Sequence, residues 1–230
     1  MSPVISTRVA SRWYERRGVP PVHAVDGVDL DVEPGEFVAI EGPSGSGKST
    51  LLSLLAGIDL ATNGSVIVLG HDLAHLSIAE RARLRRTRMG IVFQSFGLIG
   101  SLDAEENVAL PRVLEGASPS EAHAAAAGIL AEVGLEGYGP ARIDELSGGE
   151  RQRIGVARAL VSDPDLVLAD EPAGSLDEAS ARTILDLLQR TTAARGASLV
   201  LVTHDPSSAA RANRRFHMHD GRMAAEGVAS

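Results

Sequence analysis

Three short apolar runs punctuate the chain: "FVAI" at 37–40, "LVLAD" at 166–170 and "LVLVTH" at 199–204. None alternates as a half-buried strand would, and each stops at polar residues, which is the pattern of a parallel strand covered on both faces. "GIVFQ" at 90–94 has the same form. Helical stretches lie between these runs, at 49–57, 150–162 and 177–195. Strands alternating with helices predict an α/β sheet that binds its ligand at the carboxyl ends of the strands. Residues 1–36 add further strands, with a turn at "EPGE" (33–36). The piece from 95 to 146 carries no strand pattern. Its alanine-rich stretch 118–135 reads as a helix capped by Ser118 or Ser120, so it is predicted as a helical subdomain inserted into the core.

The junction between the first apolar run and the first helix carries chemistry. "GPSGSGKST" fits G-x-x-x-x-G-K-[ST] after a strand and before a helix, the context that makes the pattern a phosphate-binding loop. Gly42, Pro43, Ser44, Gly45, Ser46 and Gly47 form the loop whose N–H groups curl around phosphate oxygens, helped by the helix dipole. Lys48 reaches the β- and γ-phosphates, Ser49 offers a hydroxyl to Mg²⁺, and Thr50 lies beside a nearer phosphate. At the tip of the second run, Asp170 is placed to hold Mg²⁺ and Glu171 to orient the attacking water; apart from that setting, they would be two solvated carboxylates. His204 ends the neighbouring run, where it can hold phosphate and water in line, although a lone histidine there is more often structural. Gln94 ends "GIVFQ", within reach of the metal or the water.

A second anion-binding shape follows in "ELSGGE". Ser147 and Glu150 make an S-x-x-E capping box, while Gly148 and Gly149 leave a helix N-terminus open to anions. Composition narrows the partners. Among 230 residues, 44% are hydrophobic and 23% charged, as in a folded protein, and the net charge of −8 gives nucleic acid no general attraction. Five arginines in "ERARLRRTR" (80–88) are read as a solvated helix face, near a membrane surface at most. No apolar run approaches the ~20 residues that span a bilayer, the start lacks a secretory apolar core, and there is no cysteine. "HMH" at 217–219 reads as an edge strand, since two histidines without a third ligand make a weak metal site.

Taken in order, "GPSGSGKST", Gln94, "LSGGE", "LVLADEP", "GSLD" (174–177) and His204 resemble the ATP-binding subunit of an ABC transporter, over nearly the whole chain. "MGIVFQSFGLI", "ENVALP" and "LVTHD" are most similar to the lipoprotein-releasing and macrolide-export branch. The resemblance implies a P-loop NTPase core, mostly parallel, with an N-terminal antiparallel β portion. Residues 1–94 and 147–230 would form that core and 95–146 the inserted helical subdomain of one ATP-binding domain spanning 1–230. It implies ATP and Mg²⁺, with Ser49, Gln94 and Asp170 at the metal and Lys48, Gln94, Glu171 and His204 in catalysis. It also implies an aromatic residue on adenine, Tyr14 being favoured over Trp13. Ser147, Gly148, Gly149 and Asp177 would complete the site of a second subunit. The expected partner is a permease touching the chain near Gln94 to Glu105, which places the protein in the cytoplasm against the inner face of the membrane.

Phe96, Leu98, Ile99 and Leu102 are either subdomain core or a socket for that permease. An ATP-dependent switch that signals through a membrane partner without transport would have the same sequence. DNA-repair or chromosome-organising ATPases fit less well, because no heptad run separates Ser49 from Ser147. Several positions depart from the branch. Ala173 and Ser175 replace threonine and asparagine, Gly100 replaces a proline, and Glu150 stands where glutamine is common. Glu41 stands against the P-loop where an apolar residue is typical. A carboxylate there opposes phosphate charge unless it is paired.

Overall fold

The computed structural model describes residues 2–16 and 18–225. Its strands are β1 (Ile5–Arg16), β2 (Val19–Val32), β3 (Phe37–Glu41), β4 (Asn63–Val68), β5 (His71–Asp72), β6 (Met89–Val92), β7 (Leu166–Asp170), β8 (Ser198–Thr203), β9 (Arg214–His219) and β10 (Arg222–Ala225). Its helices are α1 (Lys48–Leu55), α2 (Ile78–Arg88), α3 (Ala104–Glu115), α4 (Pro119–Glu132), α5 (Gly148–Leu160), α6 (Glu178–Arg195) and the single turn α7 (Pro206–Ala209). One sheet has the order β2-β1-β4-β5 and is antiparallel throughout. The other has the order β10-β9-β3-β8-β7-β6 and is parallel except where β10 returns along β9.

The continuous apolar runs follow from two cores, one on each face of the six-stranded sheet. Val38 and Ile40 of β3, Leu166 and Leu168 of β7, and Val200 and Val202 of β8 face α1 and the antiparallel sheet. Phe37, Val167, Ala169, Leu199 and Leu201 face the other way, onto α5, α6 and the helices of the 104–132 segment. A strand buried on both faces has no position left for a polar residue until it reaches its end. Those ends, Glu41, Asp170 and Thr203, stand side by side through the parallel registers Glu41↔Thr203 and Asp170↔Val202.

Several boundaries differ from the sequence reading. The "GIVFQ" strand runs over Met89–Val92, which leaves Phe93 and Gln94 in the following loop, and β8 stops before His204. The hairpin β4–β5 and helix α3 went unread; α3 holds Pro111 inside it and starts at a capping box of Asp103 and Glu106. Ser118, not Ser120, caps α4. The "HMH" strand is interior rather than at an edge, because β10 covers its outer side. Among the described residues no cluster of three His, Asp or Glu side chains could hold a metal ion, and no helix is long and apolar enough to cross a membrane.

Candidate functional site

The loop from Gly42 to Gly47 turns the chain from β3 into α1 through backbone that only glycine adopts without strain. Gly42, Gly45 and Gly47 have φ of 156°, 81° and 101°. A Cβ on Gly47 would lie 1.8 Å from the Ala24 carbonyl oxygen, and one on Gly42 would lie 2.1 Å from that of Met218. Both glycines are therefore fixed by close backbone approach as well as by conformation. The β9–β10 turn braces the loop further, since Gly221 N–H donates to Ser46 O at 2.9 Å. Lys48 is buried, and its ammonium donates to the carbonyls of Gly42 (2.8 Å) and Pro43 (2.9 Å). Ser46 Oγ is buried without a hydrogen-bond partner among the described residues.

Across the loop, Ser49 Oγ donates to Asp170 Oδ1 at 3.1 Å. Burial lifts the Asp170 carboxyl above its ordinary range; the Ser49 hydrogen bond pulls the other way, and the neighbouring Glu171 charge adds to the lift. Glu171 itself sits at φ 46°, a left-handed conformation that side-chain-bearing residues rarely adopt and that turns it out of the strand line. Its Oε1 pairs with His204 Nδ1 at 2.8 Å, and its Oε2 accepts from Thr203 Oγ1 at 3.4 Å.

These groups line one cleft of about 550 Å³. Ser44, Gly45, Gly47, Lys48, Ser49, Thr50, Gln94, Glu171 and His204 all border it, together with Val22, His23, Ala24, Asp220 and Gly221, which the sequence reading did not single out. The Asp220-Gly221 pair was legible as a hairpin turn, and both residues have positive φ. Nothing in the sequence pointed from that turn to the phosphate loop.

The two aromatic candidates meet different partners. Tyr14 donates its hydroxyl to Asp59 at 2.9 Å, under the Arg12 guanidinium, and Asp59 lies beyond the far end of α1. Trp13 pairs with His23 across the β1–β2 register, with ring centroids 5.7 Å apart, and His23 borders the cleft. Tyr14 in turn stands opposite Val22, which also borders the cleft, so both strand positions neighbour its wall and Trp13 is the one whose ring meets a cleft-lining ring.

Ser147, Gly148, Gly149 and Asp177 do not border this cleft. Ser147 caps α5 as the capping box predicts: its hydroxyl accepts from Glu150 N–H, and the Glu150 carboxylate accepts from Ser147 N–H and Oγ. Asp177 caps α6 in the same way through Ser180. Ser180 and Leu176 lie against Gly149 and Gly148, so the two helix starts form one outward-facing surface. From α5, Gln152 donates to Phe93 O at 3.4 Å, and Arg158 donates to Gly97 O (2.7 Å) and Phe96 O (3.1 Å). The loop carrying Gln94 is thereby tied to the helix that Ser147 begins.

A second groove, of about 420 Å³, lies between α2, α3 and α5 and is bordered by Arg85, Arg86, Phe93, Gly97, Leu110, Pro111, Leu114 and Arg158. Burial lowers the affinity of Arg85 and Arg158 for their protons, with Arg81 adding to the effect on Arg85. Of the expected socket residues, Leu98 packs into the core, Phe96 lies under Arg151, and Ile99 is exposed.

Comparison with known proteins bears on these features. The ABC transporter family profile matches residues 25–174. The macrolide export ATP-binding/permease protein MacB of Hyphomonas neptunium is 44% identical over 96% of this chain, which spans only 34% of that protein. The lipoprotein-releasing system ATP-binding protein LolD of Chromohalobacter salexigens is 45% identical over 90% of this chain and 88% of its own length. A dimeric post-hydrolysis structure of the ATP-binding cassette MJ0796, bound to ADP and Pi, superimposes with a TM-score of 0.88 at 35% identity, covering 97% of this chain and 99% of that one. The chain belongs to the ABC transporter family as an ATP-hydrolysing cassette of the lipoprotein-release and macrolide-export branch.

Proposed function

We propose that two copies of this cassette close around two ATP molecules and that hydrolysis reopens them, driving a separate membrane permease of the macrolide-export or lipoprotein-release type. The observation that carries the reading is the pairing of Glu171 with His204 at 2.8 Å on the wall of the cleft that holds the phosphate loop. Glu171 orients and polarises the attacking water, and His204 fixes the carboxylate and reaches the γ-phosphate. Lys48, now held by two loop carbonyls, is the cation that meets the β- and γ-phosphates. Gln94 borders the same space from the loop after β6. Trp13, rather than Tyr14, stacks on adenine.

The site suits Mg²⁺. Ser49 Oγ and Asp170 Oδ1 lie 3.1 Å apart as two oxygen donors of the kind a hard cation takes, and Gln94 borders the cleft beside Ser49. When bound, the ion neutralises charge developing on the transferred phosphoryl group. It also favours the ionised form of Asp170, against the pull of burial.

Ser147, Gly148, Gly149 and Asp177 lie outside their own chain's cleft and face outward, which supports their use on the nucleotide of the partner cassette. The permease contact is best placed in the groove between α2, α3 and α5, rather than along 95–105 alone. Three arginines border the groove beside Leu110 and Leu114, and among the described residues none of the three has a carboxylate partner. A permease segment fitted to it is amphipathic and acidic. Residues 95–146 then serve as the helical subdomain between that groove and the second subunit. The whole assembly sits at the cytoplasmic face of the membrane.

Glu171→Gln tests the assignment. The variant should bind ATP as wild type, lose at least ~100-fold in turnover and accumulate an ATP-bound dimer on size exclusion. Turnover within a few-fold of wild type would remove Glu171 from the chemistry.

A further inference from the structure

Glu41 is the last residue of β3 and the one before Gly42, whose carbonyl accepts from the Lys48 ammonium at 2.8 Å. Its side chain is only 12% exposed, and Oε2 is buried with no hydrogen-bond partner among the described residues. Its Oε1 lies 3.6 Å from His217 Nδ1, a contact of ion-pair length. The parallel registers Glu41↔His217 and Glu41↔Thr203 put the three side chains on one face of the sheet. Thr203 is already committed, donating toward Glu171 and accepting from Asp205 N–H. From β9, Arg215 stands on the same face one level down, opposite Ala39, with interactions of its own. From α7, Asp205 is held by Ser208 and Ser207. His217 is thus the side chain placed to balance Glu41 along the sheet when it carries a proton.

β9 touches the start of the phosphate loop at two consecutive residues, His217 at Glu41 and Met218 at Gly42. A charge change at the first contact bears directly on the second. Triphosphate binding adds several negative charges to a loop whose first residue already follows a half-buried carboxylate. The same-sign interaction opposes binding unless the carboxylate is balanced.

We propose that Glu41 and His217 form a charge-balancing pair that sets the nucleotide affinity of the phosphate loop, with protonated His217 offsetting Glu41 when the triphosphate binds. Both are positioning residues: they act through Gly42 and Lys48 and touch no substrate atom. The proposal rests on the reading of Gly42–Thr50 as the ATP site. The offset exists only while His217 carries its proton, so affinity falls as that proton is lost.

The test is calorimetric titration of the full chain with ATP, and with adenosine as the phosphate-free control, at about pH 6 and pH 8. Thermal melts establish that each variant folds. At pH 6, His217→Gln should weaken ATP about tenfold, the size of one unbalanced unit charge nearby at an effective dielectric of roughly 20, and should leave adenosine unchanged. Glu41→Gln should bind ATP at least as tightly as wild type, and adding His217→Gln to it should cost clearly less than the same change costs in wild type. Wild type should lose more affinity between the two pH values than Glu41→Gln does; ATP and the other groups at the cleft contribute equally to both. Equal ATP affinity in wild type and His217→Gln, or the same loss with and without Glu41, overturns the proposal. So does an equal loss for adenosine. If Glu41→Gln does not fold, the pH arm decides between wild type and His217→Gln: persistence of the excess pH dependence without the histidine refutes the pair. If wild type binds no ATP, the reading of the phosphate loop fails instead.

Discussion

At the scale of single residues, the proposed adenine contact turns on one strand position. Trp13 and Tyr14 are adjacent, and either satisfies an aromatic residue before the loop. The β1–β2 register has an irregularity between Arg12 and Trp13 that brings Trp13 opposite His23, while Arg12 and Tyr14 share Asp59. No sequence pattern carries a bulge of that kind, so the different partners of the two aromatics were invisible until the strands were paired. Trp13→Ala should weaken ATP binding about tenfold, the loss of one aromatic stacked on a base. Tyr14→Ala should leave affinity within about twofold but lower stability by ~1 kcal/mol, through its hydrogen bond to Asp59. Calorimetry and thermal melts on the two variants distinguish them, and the opposite ranking in affinity would return the role to Tyr14. By contrast, Lys48 and Ser49 were legible as candidates from the G-x-x-x-x-G-K-[ST] spacing, and Asp170, Glu171 and His204 because each ends or follows an apolar strand, where a polar residue must have a reason.

At the scale of elements, caps fix where helices start, and so where their exposed N–H groups point. Asp205 accepts from Ser207 and Ser208 and begins α7 directly after His204. The Ser208 hydrogen bond first, and the Ser207 one with it, hold its carboxyl at about 2, below the ordinary 3.8. A depressed carboxylate contributes stability above its unfolded value and loses it as pH falls through the folded one. Asp205→Ala should therefore destabilise by ~1 kcal/mol at neutral pH, with the difference from wild type closing as pH drops from about 4 to about 2. Thermal melts across that range check it, and a gap independent of pH would contradict it. The same logic shows what was readable. The boxes Ser77/Glu80, Asp103/Glu106, Ser118/Glu121 and Ser147/Glu150 all form, yet only those at 118 and 147 had been used as helix starts. Pro111 hid α3, since proline inside a pattern argues for a break. β4 was missed for another reason: it is short, begins at Asn63-Gly64, and keeps Ile67 exposed, so it presents no continuous apolar run.

At the scale of the whole molecule, the proposed site falls into two halves that do not meet within one chain. The phosphate cleft faces one direction, and the Ser147–Gly149 and Asp177 helix starts lie outside it. Turnover should therefore depend on encounter between subunits. Activity per chain should rise with protein concentration at saturating ATP, while ATP binding per chain stays constant. Sedimentation in parallel with the activity assay measures both. A constant rate per chain in a sample that stays monomeric would exclude a shared site. The tethering of the Phe93–Gly97 loop by Gln152 and Arg158 gives this arrangement a mechanical meaning. A loop free at both sides would absorb a push by changing its own backbone. This one is riveted to α5, a rigid rod of 13 residues, about 20 Å long. Arg158 sits near one end of that rod, bordering the basic groove, and Ser147 caps the other. In the proposed assembly, pressure from a membrane partner at the first end would reappear as tilt at the second, making α5 a rocker between the proposed docking groove and the proposed anion-binding end.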